Sequence, residues 1–160
     1  MKPTPRIPPQ RRLILLIVCS LAGISAFWIP AAFPEENKTG DVIIIGHQNL
    51  PIDSLALNDL KLIYKGEKTL WPDDQPILFV TLPGGDVHDM FVTTYLRKTP
   101  SQYSRYWKKL IFSGRGFPPR ALKNEAGVVS YVRKTPGAIG YVSRQTKLAG
   151  VKRIHILEGE

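Results

Sequence analysis

The sequence predicts an α/β domain in which a mostly parallel sheet of about four strands is flanked by helices. Three observations carry this. Short apolar runs rich in β-branched residues recur at 42–45, 77–82, 138–142 and 151–157, each too short for a helix. Between them lie segments whose apolar residues repeat at helical spacing. The composition, 43% hydrophobic and 22% charged over 160 residues, is that of an ordinary globular chain. Strands alternating with helices bury both faces of a sheet, which is the α/β solution to layering.

The N-terminus is a separate segment. Arg11 and Arg12 precede an uncharged run at 13–29, and Pro30 and Pro34 bar any helix from continuing. Residues 1–33 are therefore expected to form a signal peptide or an N-terminal membrane anchor, 34–40 a linker, and 41–160 a single domain. A positive flank stays cytoplasmic, so the domain is expected in the periplasm or on the extracytoplasmic face of the inner membrane. Cleavage and retention both stand: Ala26 and Ala32 suit a cleavage position, while seventeen uncharged residues reach the lower limit for a span. Cys19, the one cysteine, lies in this run after Val18, where lipidation requires a small residue. No disulfide can form within the chain.

The charge of +9 shrinks once the leader is set apart. Lys2, Arg6, Arg11 and Arg12 belong to it, leaving 18 basic against 13 acidic residues, or +5, in the body. Lys108-Lys109 and Lys152-Arg153 read as isolated pairs, so a basic module touching phospholipid or nucleic acid ranks last, and no nucleic-acid partner is expected.

Along the body, 42–45 reads as a buried strand. Residues 54–58 then open a short helix with Leu60, Ile63 and Tyr64 on one face and Gly66 past its end. Trp71-Pro72-Asp73-Asp74 forms a turn, and 77–82 the next strand. Val87, Met90, Phe91 and Tyr95 place a helix from about 86 to 97. Ser101 is read as the cap of an amphipathic helix with Tyr103, Tyr106, Trp107, Leu110 and Ile111 on its core stripe. A Gly/Pro-rich loop follows at 113–120. Asn124 caps a helix carrying Val128, Val129 and Val132, which Thr135-Pro136-Gly137 ends, and two strands complete the domain.

The candidate site is the strand-to-helix junction Thr81-Leu82-Pro83-Gly84-Gly85-Asp86-Val87-His88. Two glycines let the backbone approach a ligand, and the helix start offers unpaired N–H donors that attract anions. The other reading is a tight turn with Asp86 as N-cap, its carboxylate occupying those donors. Asp86, His88 and Asp89 diverge around a helix and do not predict a metal. His47 and His155 read as strand-end or surface residues. No Gly-x-Ser-x-Gly elbow or Cys–His arrangement is present, so neither an enzyme nor a cofactor is expected. Arg115, in the loop, is a further candidate for an anion.

Four sequence elements appear in a telling order. They are Leu60-Lys61-Leu62-Ile63-Tyr64-Lys65-Gly66 with Trp71-Pro72; Tyr106-Trp107; Ile111-Phe112-Ser113-Gly114-Arg115-Gly116-Phe117-Pro118-Pro119; and Thr135-Pro136-Gly137-Ala138-Ile139-Gly140-Tyr141-Val142. Over about 42–142 the chain resembles short versions of the phosphate-type substrate-binding proteins of ABC transporters. The resemblance implies one lobe of a type II periplasmic-binding-protein-like fold and an oxyanion such as phosphate as ligand. Gly84, Gly85, Asp86 and Val87 align with the family's donor loop, with Asp86 and Val87 standing where Ser or Thr hydroxyls are usual, and His88 follows as a further candidate ligand-binding residue. A single lobe further implies a site completed by a membrane or envelope protein or by a second copy in an oligomer. An envelope interaction module that has lost its ligand is the alternative.

Overall fold

The computed structural model describes residues 42–158. The expected leader and linker lie outside them. In chain order the elements are β1 (Val42–His47), β2 (Ser54–Ala56), α1 (Leu57–Tyr64), β3 (Leu78–Thr81), α2 (Asp86–Thr94), α3 (Pro100–Phe112), β4 (Arg120–Ala121), α4 (Glu125–Lys134), β5 (Ala138–Ser143) and β6 (Val151–Leu157).

The six strands form one sheet in the order β2-β6-β1-β5-β3-β4. β3 runs parallel to β4 and to β5, and β2 parallel to β6, whereas β1 is antiparallel to both β5 and β6. Five strands therefore share one direction and β1 alone opposes them. The sheet is mixed, and its two strands beyond the expected four are β2 and β4, of three and two residues. Both are edges, and their shortness leaves little open ladder for another chain to pair with.

β1 and β5 sit at the middle of the sheet and are buried on both faces, which explains their unbroken apolar runs. One face carries Gly140, where α4 comes so close that an added Cβ would meet Val128 at 2.7 Å and Val80 at 2.9 Å. The other face is aromatic. Phe91 of α2 stacks on Tyr141 of β5 with centroids 3.8 Å apart and planes 3° from parallel. Tyr64 of α1 packs against Phe79, Phe91 and Tyr141, and Trp107 of α3 against Phe79.

Three element boundaries differ from expectation. Residues 54–56 do not open a helix: they pair with His155, Ile156 and Leu157 as an edge strand, and α1 starts at Leu57. α2 ends at Thr94 rather than near 97, because Arg97 turns into the left-handed region (φ 54°) and a new helix begins. That helix, α3, is capped by Thr99 and not Ser101. The Thr99 side chain accepts from the Gln102 N–H, the Gln102 side chain accepts from the Thr99 N–H, and Pro100 holds the first helical position. The residue before a proline is pushed out of helical geometry, which places the cap one step before it.

Candidate functional site

The junction between β3 and α2 is open. Gly85 precedes the helix at φ 92° and ψ 173°, a conformation suited to glycine, and no side chain caps the helix start. Asp86 is thus not the N-cap; it is the first helical residue, and it is exposed. A Cβ added at Gly84 or Gly85 would meet nothing within 4 Å, so neither glycine is demanded by neighbouring atoms.

His88 is held firmly. It is 9% exposed, and its Nδ1 lies 2.6 Å from the Tyr141 hydroxyl, which in turn accepts the Leu82 N–H at 3.0 Å. The Leu82 N–H takes one lone pair of the Tyr141 oxygen, and the His88–Tyr141 bond forms in either imidazole tautomer: where Tyr141 donates to Nδ1, the neutral ring carries its proton on Nε2. Burial pushes the His88 pKa below 6.5, with the Asp89 carboxylate opposing, so neutrality is the resting state. Burial also raises the Tyr141 hydroxyl well above its usual value, keeping it a donor.

His88 lines a hollow of about 500 Å³ together with Pro83, Gly84, Asp89, Pro100, Ser101, Ser104, Arg105 and Lys108. The sequence reading of the site stopped at the junction and missed the wall supplied by α3. Ser101, Ser104, Arg105 and Lys108 recur at helical spacing on the face opposite its aromatic stripe, so the signal was present as a polar stripe. Its relevance depends on α3 packing beside α2, which periodicity does not reveal.

The structure brings together Gly84 and His88 and leaves other expected residues apart. Asp86 lines a neighbouring hollow with Met90, Thr93, Thr94, Arg97 and Glu158, and Asp89 borders both. Gly85 precedes α2 without lining the hollow, and Val87 is half-buried against the core. Arg115 lies beyond the C-terminal end of α3, where its Nε donates to the Ser113 Oγ at 3.2 Å, away from the hollow. His47 ends β1 with its Nδ1 accepting from the Asn49 N–H, and His155 is exposed. Among the described residues, no three His, Cys, Asp or Glu side chains gather as metal ligands.

A profile of the family described as the PBP superfamily domain matches residues 38–155. No curated protein matches the chain. Among solved structures, similarity extends to a protein from Clostridium perfringens assigned as a phosphate ABC transporter substrate-binding protein, with bound phosphate: 20% identity, TM-score 0.56, covering 72% of this chain and 44% of that one. An ABC-type phosphate transport receptor from Vibrio cholerae matches at 20% identity and TM-score 0.51, over 72% of this chain and 46% of the other. PstS from Borrelia burgdorferi matches at 18% identity and TM-score 0.54, over 72% and 47%. At such identities the likeness is one of fold. The chain spans less than half the length of these structures.

Proposed function

The chain belongs to the PBP superfamily, and from that premise we propose that it is an extracytoplasmic solute-binding-like protein whose hollow beside the β3–α2 junction receives a small oxyanion, phosphate first among them. One observation carries the reading: His88, held by the Tyr141 hydroxyl, lines the same hollow as Arg105 and Lys108. The uncapped start of α2 adds backbone donors and the positive end of its dipole. Asp86 faces elsewhere and leaves those donors open. Asp89, at the rim, accepts hydrogen bonds only, which favours an anion that keeps a proton, such as hydrogen phosphate, over fully ionised sulfate.

The test is a thermal-shift and calorimetric titration with phosphate, sulfate and molybdate. Ligand at a hundred times its Kd stabilises the chain by about 2.7 kcal/mol. Phosphate is expected to act more strongly than sulfate, and Arg105→Ala with Lys108→Ala to abolish the effect. Gly84→Ala is expected to keep the unliganded stability, because open space surrounds that Cβ, while weakening the anion's approach to the backbone. Absence of a shift with all three anions sinks the oxyanion reading. An envelope interaction module is the reading then left standing, supported by the exposure of a site formed by one lobe alone.

A further inference from the structure

The end of α3 and the loop after it carry a surface that nothing above uses. Phe112 is 89% exposed and Phe117 92%, with Ile111 at 41% beside them. Gly114, at φ 66°, reverses the chain: its N–H donates to the Ile111 carbonyl and the Arg115 N–H to the Leu110 carbonyl. Gly116 is thereby folded back against Leu110 and Trp107, so the two phenylalanines project from one tight tip and not from a trailing loop. Lys109 stands one turn before Phe112 on the same side of the helix, and Arg115 lies between the two rings in sequence.

Charge along this stretch of the sequence is one-signed. From Met90 to Asn124 there is no acidic residue, while Arg97, Lys98, Arg105, Lys108, Lys109, Arg115, Arg120 and Lys123 contribute eight positive charges. The rest of the body holds ten basic against thirteen acidic residues and is net negative. None of the eight cations pairs with a carboxylate among the described residues, the three salt bridges there using Lys65, Lys68 and Lys152. The Lys108-Lys109 pair, read from the sequence as isolated, belongs to this segregated field.

We propose that the α3 tip docks on an anionic phospholipid surface, with Phe112 and Phe117 entering the headgroup boundary and Lys109 and Arg115 facing lipid phosphates. Two exposed aromatic rings with Lys109 and Arg115 beside them complement such a surface in both polarity and charge. Each cation near an anionic membrane strengthens association by roughly fivefold. Where residues 13–29 stay in the bilayer, the twelve residues 30–41 keep β1 within about 40 Å of it, so docking occurs at high effective concentration. The proposal is independent of what occupies the hollow.

The experiment uses the full chain reconstituted in vesicles of phosphatidylcholine alone or with 30% phosphatidylglycerol (about that fraction suffices for a negative surface potential), followed by hydrogen exchange of the 109–117 amides. Protection several-fold stronger on the anionic vesicles is expected, lost in about 0.5 M salt, where the screening length falls to a few ångströms. Phe112→Ser with Phe117→Ser should abolish it without moving Tm, since both rings are solvent-exposed. Lys109→Glu with Arg115→Glu is the second variant and should act the same way. Equal protection on both lipids, or none on either, overturns the proposal, and so does protection that follows protein concentration instead of lipid charge, which points to a second copy.

Discussion

At the scale of single residues, Tyr141 joins the core to the site. Its ring stacks on Phe91 while its hydroxyl serves both Leu82 and His88. Tyr141→Phe keeps the stack but strands a buried backbone N–H and the imidazole Nδ1, and is expected to cost about 1–3 kcal/mol by chemical denaturation. It also frees the His88 tautomer, which imidazole ¹⁵N shifts report directly. Acid has a defined effect here. The unfolded chain protonates His88 near 6.5, the folded chain only at lower pH, so acid first favours unfolding. The stability supplied by the neutral imidazole is complete above about 6.5 and is lost as pH falls through that value toward the folded pKa. The denaturation midpoint should therefore decline between pH 7 and 5, and His88→Gln should flatten that slope.

At the scale of elements, the motif at 135–142 has a physical basis. Gly137, at φ 78°, turns the chain from α4 into β5, and its carbonyl accepts the Trp71 indole N–H at 2.9 Å and the Leu78 N–H at 3.1 Å. Gly140 admits α4 to the sheet. Gly140→Ala drives a methyl into Val128 and Val80, and overpacking of this kind is expected to cost about 1–3 kcal/mol, seen as a lowered midpoint with an unchanged m-value. Gly66 has a similar place: it ends α1 with its N–H on the Ile63 carbonyl and the Glu67 N–H on the Leu62 carbonyl, and a Cβ there would press on Trp107. These glycines and tryptophans, far apart in sequence, are contact partners. The elements themselves were legible from periodicity, since β1, β3, α4, β5 and β6 lie where apolar runs and the Asn124 cap placed them. β2 was not legible, because three residues with an exposed-buried-exposed pattern are too few to set a period against the adjoining helix.

At the scale of the whole molecule, the sequence conveyed the sheet and its covering helices but not the reversed β1. Strand direction is a property of pairing, and no local signal in Val42–His47 distinguishes the two senses. The candidate site was half legible for the same reason: the glycine junction is contiguous in sequence, whereas its basic wall arrives from another helix. The uneven distribution of charge was also hidden in the net figure, because a strongly positive stretch and a weakly negative remainder merge into one modest value.

The position of β1 has a further consequence. Its two neighbours, β5 and β6, begin at Ala138 and Val151, so the first strand of the domain has no partner for some ninety residues of synthesis. Contacts this distant make a slow, late-closing topology. A chain supplied from its first residue to its last holds its central strand unmatched until the far end is available, so the sheet is completed in one late event.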